Sequence, residues 1–311
     1  MHSVVVSLRN LISITSVKLE QQIRANIDQS KKLNAEMLKW GERQGLGRKE
    51  DRIRLVSRQA VYSLILKLML YEMLRQRLSL EPVSIDSLEK LQRLFEFAHQ
   101  TTEMDAFERS FLDEIIEDCD GELSKNLSNV AQLVDEVGEN RTDFIGRVYE
   151  DIIPGEERRK LGEFYTPHDI AKFMSKWAIT GKNDRVLDPA CGSGTFLVES
   201  LYRLMELECS AEDAVKNVCG IDVNPIAALM STVNLVVRVP ESRPNLSVSD
   251  FLTVTGWEKE KFQVIVCNPP YTRHHEMSQN YKELVARTID AECGDRISRL
   301  SSIYVHFFIH A

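Results

Sequence analysis

Through the first half of the chain, apolar residues return at every third or fourth position. "VYSLILKLMLYEMLRQRL" (61–78), "SLEKLQRLFEFAHQ" (87–100) and "FERSFLDEIIEDC" (107–119) all carry this helical period, and strand-like alternation is scarce. "PVSID" (82–86) and "DCDG" (118–121) interrupt it. Residues 1–152 are therefore expected to form an all-helical domain of five or six helices, with no motif that carries chemistry.

The pattern changes at a polar stretch, "PGEERRKLGEFYTP" (154–167), after which short β-branched runs alternate with helical ones. "RVLDPACGSG" (185–194) reads as a strand and a glycine turn, with a helix from about Thr195. "NVCGIDVNP" (217–225) gives a second strand, followed by the helix "IAALMSTVNLVVR" (226–238). "NLSVSDF" (245–251) and "FQVIVCNPPY" (262–271) supply the third and fourth strands. For residues 153–311 this alternation predicts an α/β domain with a parallel, doubly wound sheet, whose ligands lie outside the carboxyl ends of the strands. The final run, "SSIYVHFFIHA" (301–311), reads as a helix with no cap and no later strand. Four strands make a thin sheet, so the domain is expected to be incomplete at its C-terminus and the chain to be a piece of a longer protein.

Composition narrows the classes further. A chain of 311 residues can bury two cores, and 43% hydrophobic with 28% charged residues is ordinary for a globular protein. The start, "MHSVVVSLRNLISI", is broken by Arg9 and Asn10 and reads as a helix, not an export signal. "AVYSLILKLMLYEML" (60–74) is too short and, with Lys67 and Glu72, too charged to span a bilayer. No membrane association is expected. The six cysteines form no C-x-x-C pair, which fits reduced thiols in a cytoplasmic protein and suggests no zinc site. The net charge of −8 is unevenly spread: residues 1–100 carry 17 basic against 11 acidic side chains, residues 101–150 only 4 against 14. Nucleic-acid binding must therefore be judged from a site, not from bulk charge.

The candidate chemistry sits where the strands end. In "DPACGSGTF" (188–196), Asp188 closes a strand, and Gly192 and Gly194 make a turn tight enough for a ligand to lie against bare backbone. The spacing is neither G-x-G-x-x-G nor a lysine-bearing phosphate loop, so phosphate cradling is not favoured, and glycine turns also occur for packing alone. Asp222 ends the second strand where an acidic side chain accepts hydrogen bonds from ribose hydroxyls. Asn224 and Pro225 read as N-cap and first helical residue. Asp250 offers an acceptor for an adenine amino group, with Phe251 behind it as an apolar face. Together the three strand ends describe a nucleoside pocket.

In the order "GEFYTP" (162–167), "DPACGSGTF", "GIDVNP", "SDF" and "NPPY", these motifs resemble the N6-adenine DNA methyltransferases of restriction–modification systems. The gamma-ordered group, with type I modification subunits and fused type II enzymes, is the nearest likeness; the helical first half is similar only in kind. The resemblance implies a Rossmann-like domain that uses S-adenosylmethionine. It places Tyr165 and Thr166 over the methionine end of the cofactor and Asp188, Ala190 and the Gly192 to Gly194 turn beneath it. Asp222 is implied at the ribose and Asp250 with Phe251 at the adenine, while Thr195, Val223 and Asn268 complete the cofactor contacts. The implied partners are double-stranded DNA, a specificity subunit and a restriction subunit.

"NPPY" then acquires a chemical reason. Adenine N6 is a poor nucleophile because its lone pair is drawn into the ring. Acceptors at the Asn268 side chain and the Pro269 carbonyl can hold its two protons, localise the pair and stabilise the positive charge of methyl transfer. Pro269 and Pro270 stiffen the corner, and Tyr271 offers its face to a base drawn out of the duplex. No base catalyst is required before attack, since the proton can leave afterwards. A packed tyrosine after a proline-rich strand exit is the plain structural alternative. Asparagine at 268 favours adenine over cytosine N4.

"GEFYTP" also has a local reading, with Thr166 as N-cap, Pro167 as first helical residue and Asp169 near the positive helix end. His274 and His275 are adjacent and diverge, and His306 and His310 lack the glutamate of a zinc protease, so no metal is expected. Two other functions stay open at this level: methylation of a protein glutamine or an RNA base, and a non-catalytic module that docks other subunits. The recognised DNA sequence is not legible.

Overall fold

A computed structural model of the chain describes residues 2–28, 30–43, 48–78, 80, 88–117, 166–240, 242–253, 261–271, 279–293 and 301–311. The chain divides into two compact units, Met1–Pro154 with Val236–Pro240, and Gly155–Leu235 with Glu241–Ala311. "PVSID", "DCDG", Tyr165, His274 and His275 lie outside the described residues.

Among its described residues the first unit is helical: α1 (His2–Asn26), α2 (Lys31–Arg43), α3 (Lys49–Leu78), α4 (Leu88–Thr102) and α5 (Phe111–Glu117), with a 3-10 turn at Asp105–Phe107. The other four helices all pack on α3. This follows from the sequence of α3, which carries apolar residues on every side from Ala60 to Leu74, interrupted only by Ser63, Lys67 and Glu72, and is buried along that length. Tyr71, Phe95 and Phe107 form an aromatic chain across α3, α4 and the 3-10 turn, with centroids 6.4 and 6.0 Å apart. The two charges that argued against a membrane span are both inside and both satisfied. Lys67 Nζ donates to Asp113 Oδ2 and to the Glu108 carbonyl, each at 2.8 Å, and Arg75 reaches Glu72 at 2.8 Å. Asp113 Oδ2 also accepts from the Ser110 N–H and hydroxyl at 2.7 Å, so one carboxylate anchors α5 to α3.

The second unit holds a four-stranded parallel sheet of order β3-β2-β1-β4: β1 (Val186–Asp188), β2 (Val218–Asp222), β3 (Asn245–Val248) and β4 (Val264–Ile265). Its helices are α6 (His168–Ala178), α7 (Thr195–Glu206), α8 (Ala211–Asn217), α9 (Pro225–Arg238), α10 (Gln279–Cys293) and α11 (Ile303–His310). Strand alternation separates the two faces of β2. Cys219 and Ile221 join Leu187, Phe251, Val285 of α10 and Ile303 and Phe307 of α11 in one core cluster, while Gly220 points the other way, against Leu197 of α7. Helices thus cover both faces, as expected of a doubly wound sheet. The order reverses between β1 and β4, because β2 and β3 extend the sheet on one side of β1 and β4 on the other.

α6 departs from the local reading. Pro167 is the N-cap, at φ −56° and ψ 136°, the helix begins at His168, and no side chain caps it. The Pro167 carbonyl accepts from Ile170 and Ala171, and the Thr166 hydroxyl is used by a distant residue instead. Asp169 does lie in the first turn. α6 buries small residues, Ala171 and Ser175, against α7 and turns Phe173 and Trp177 outward. Among the described residues no helix is long and apolar enough to cross a membrane.

Asp113→Ala is expected to destabilise the helical unit by about 3–5 kcal/mol, because it strands a buried ammonium and two donors of Ser110. Urea unfolding followed by circular dichroism measures this, and a loss below about 1 kcal/mol would remove the pair from the stabilising contacts.

Candidate active site

The parallel sheet delivers Asp188, Asp222 and the turn containing Asp250 to one edge, at the carboxyl ends of β1, β2 and β3, with Asn268 just beyond β4. Asp222 is the pivot. Its Oδ2 accepts the Gly192 N–H and its Oδ1 the Asn224 N–H, both at 2.8 Å. Asn224 passes the chain into α9 by accepting the Ile226 N–H at 3.0 Å, with Pro225 first in the helix, so the predicted cap is formed. Burial raises the Asp222 carboxyl, against the opposing N–H groups of Asn224, Gly192 and Val223.

Asp188 lies deeper, at 1% exposure, with Oδ1 accepting the Ala190 N–H at 3.2 Å. Burial outweighs that bond and, helped by the neighbouring Asp222 charge, pushes Asp188 up to about 8. The thiols nearby respond to the same surroundings: burial followed by the Asp222 and Asp188 charges raises Cys191, and burial with the Asp188 charge pushes Cys267 up to about 12. Two carboxylates in one enclosed corner resist ionising together.

The glycine turn has the geometry its sequence demanded. Gly192 and Gly194 have φ of +54° and +85°, the left-handed region that costs a side-chain residue about 1–2 kcal/mol. A Cβ on Gly194 would meet Ser231 Oγ at 2.8 Å, whereas one on Gly192 would meet nothing within 4 Å. Gly194 is therefore required by packing, and Gly192 borders open space that a ligand can enter. The turn is fastened by side chains that the sequence reading passed over. Ser231 Oγ donates to the Gly192 carbonyl at 2.9 Å and Asn234 Nδ2 to the Ser193 carbonyl at 2.7 Å. Their one available signal was polar residues buried within the apolar run of α9.

On the β3 side, Asp250 Oδ1 accepts the Leu252 N–H at 3.1 Å and the carboxylate also accepts the Tyr281 hydroxyl; burial, then the Asp250 charge and this bond, raises that phenol. Phe251 is 5% exposed, its ring 5.4 Å from Phe307 and 4.6 Å, edge-on, from His310. It supports Asp250 from within the core and does not present an open face. Ala190 packs its side chain on the same core, Thr195 opens α7, and Val223 is 42% exposed beyond the Asp222 turn.

At β4 the chain leaves the sheet through half-buried Asn268, Pro269 and Pro270 to Tyr271, which is 50% exposed. Asn268 Nδ2 donates to Thr166 Oγ1 at 3.2 Å, joining residues 102 positions apart. The end of "GEFYTP" and the start of "NPPY", unrelated in sequence, thus meet beside the point where the sheet order reverses. Among the described residues no group of three or more His, Cys, Asp or Glu is placed to hold a metal ion.

These features define a doubly wound α/β domain with acidic acceptors along its strand ends and an amide-bearing proline corner at the switch point. Residues 140–292 match the family model described as N-6 DNA Methylase. The chain is similar to the type II methyltransferase M.XamI of Xanthomonas campestris pv. amaranthicola, 30% identical over 156 residues, which cover 50% of this chain and 28% of that protein. It is also similar to the methylase subunit of the type I restriction enzyme MpnII of Mycoplasma pneumoniae, 30% identical over 153 residues, covering 45% of this chain and 27% of the relative. In fold it resembles the DrdV protein of a cryo-EM DrdV–DNA complex, with a TM-score of 0.54 at 17% identity over 99% of this chain and 34% of that one. The chain therefore spans about a quarter to a third of the length of these proteins.

Asp188 gives the site a pH signature. Its folded value near 8 exceeds the ordinary 3.8, so the folded state binds the proton more tightly, and its stabilising effect, full below about pH 4, is lost as pH rises through about 8. Asp188→Asn is expected to flatten the decline in urea midpoint between pH 4 and 8, leaving the part due to Asp222. A slope identical to that of the wild type would place the titration elsewhere.

Proposed function

We propose that this chain methylates the N6 amino group of adenine in double-stranded DNA, as the modification component of a restriction–modification system. The observation that supports this most directly is the Thr166–Asn268 bond, which brings the two distinctive motifs together at the switch point. The residues present also fit S-adenosylmethionine: acceptors at three successive strand ends suit a nucleoside, and the open space at Gly192 suits a ligand lying on bare backbone. That cofactor, when bound, supplies a methyl group on a sulfonium centre.

In this reading Asp222 receives the ribose hydroxyls, since a carboxylate has about four lone-pair sites and can add them to its backbone bonds. Asp250 accepts the adenine amino group, with Phe251 fixing it from behind and Val223 alongside. Asp188, Ala190, the Gly192 to Gly194 turn and Thr195 lie beneath the methionine end, and Tyr165 and Thr166 close over it. The side-chain oxygen of Asn268 and the carbonyl of Pro269 accept the two N6 protons, which localises the nitrogen lone pair and offsets the charge that grows on it. Holding the two reactants in line supplies most of the remaining acceleration. Pro269 and Pro270 keep the acceptors fixed before the base arrives, and Tyr271 stacks on the extruded base, recovering about 1–3 kcal/mol of the cost of unstacking it. One relative is named as the methylase subunit of a type I restriction enzyme; a specificity subunit and a restriction subunit are accordingly the partners we expect here, and the cytoplasm, where the DNA lies, is the expected place of work.

The test uses the full-length protein with its partner subunits, tritiated S-adenosylmethionine, and duplex DNA, RNA and protein as competing acceptors. Label is expected in N6-methyladenine of duplex DNA; label confined to protein, RNA or cytosine would overturn the proposal. Tyr271→Ala is expected to reduce transfer roughly ten- to a hundredfold with cofactor affinity nearly intact. Asp222→Ala is expected to weaken cofactor binding at least about tenfold in calorimetry. An unchanged dissociation constant would remove Asp222 from the ribose site.

A further inference from the structure

α11 carries two stripes. Ile303 and Phe307 are buried in the core, and His310, one turn on, meets the edge of Phe251. Next to that stripe, Tyr304 is 45% exposed and lies against Tyr271, with ring centroids 6.1 Å apart and planes tilted by 41°. Phe308 follows one turn later and is 83% exposed. One short helix therefore touches both the residue behind Asp250 and the tyrosine at the proline corner.

The ring geometry decides what Tyr304 can do. Two rings with a base sandwiched between them must stand about 7–8 Å apart and nearly parallel, because each contact layer takes about 3.5–4 Å. At 6.1 Å and 41° the tyrosines are in direct tilted contact, with no room for a third ring. Tyr304 is thus behind or beside Tyr271, not opposite it across a base. Tyr271 follows two prolines that fix the backbone but leave its own side-chain torsions free, and a half-exposed ring loses that freedom when something stacks on it.

Resting on the methyltransferase reading, we infer that Tyr304 is a positioning residue: it braces the Tyr271 ring in advance, so that the ring accepts the extruded base with little further ordering. The contact is made ring to ring. Because α11 is anchored by Phe307 and His310 on Phe251, the brace is referenced to the cofactor side of the same domain.

The experiment compares Tyr304→Ala, Tyr304→Phe and Phe308→Ala with the wild type, in the full-length protein with its partner subunits. Three quantities are read: kcat/KM for methyl transfer to DNA, the cofactor dissociation constant, and the fluorescence rise of 2-aminopurine placed at the mapped target adenine. Tyr304→Ala is expected to lower kcat/KM about tenfold, equivalent to about 1.4 kcal/mol, and to reduce the fluorescence rise, with the cofactor constant unchanged. Tyr304→Phe and Phe308→Ala are expected to behave as wild type. An alanine variant as active as wild type overturns the brace alone. So does a parallel loss of cofactor affinity, which would mark a general packing role, or a phenylalanine variant as impaired as alanine. Wild-type protein that labels no DNA overturns the methyltransferase reading, and the brace with it.

Discussion

The carboxylate of Asp222 spans two neighbouring strand exits. One oxygen holds the Gly192 N–H of the loop after β1, and the other holds the Asn224 N–H where β2 turns into α9. Charge-assisted bonds of this kind are roughly twice as strong as neutral ones, and here they fix the glycine turn relative to β2 before any ligand is present. Ser231 and Asn234 of α9 then take the carbonyls of Gly192 and Ser193, so the turn is held from its N–H side by a strand end and from its carbonyl side by a helix. Glycines at left-handed φ do not hold a conformation by themselves, so these bonds set the turn's shape.

Such fastening has an electrostatic cost. Asp188 and Asp222 share an enclosed corner, and burial raises both, Asp188 to about 8. Burial favours the neutral form of Asp188 most, while the N–H groups of Gly192 and Asn224 oppose that effect at Asp222. In the helical unit the same problem is solved internally: Lys67 is buried with Asp113 and the Glu108 carbonyl, and the pair serves the architecture alone.

The reversal of sheet order between β1 and β4 decides which loops become neighbours. It sets the exit of β4, with Asn268, beside the exit of β1, and the Thr166–Asn268 bond then draws in the segment that precedes α6. α11 closes the arrangement from the far end of the chain, through Phe251 on one stripe and Tyr271 from the next. Residues from separate stretches of the chain thus reach one edge of a four-stranded sheet; Asp188, Asp222 and Asp250 are held within their own turns, but their meeting with Thr166, Asn268 and α11 is tertiary.

At several strand and helix ends a signal acting within two or three residues was sufficient. Asp188 and Asp222 close β1 and β2, Thr195 opens α7 after a glycine turn, and Pro225 opens α9 behind the Asn224 cap, because each depends on a backbone preference or a bond spanning two or three positions. The near-continuous apolar run of α3 likewise announced a core helix. Tertiary structure alone decided the rest. The Thr166 hydroxyl, predicted to cap α6, is taken by an amide 102 residues away; Phe251, expected to offer a face, is covered by Phe307 and His310; and β4, within an apolar run that reads as a full strand, pairs over only Val264–Ile265. Local preference fixes where a strand or helix stops. Which side chains then meet depends on strand order and helix packing, and these are set by burial summed over the whole domain.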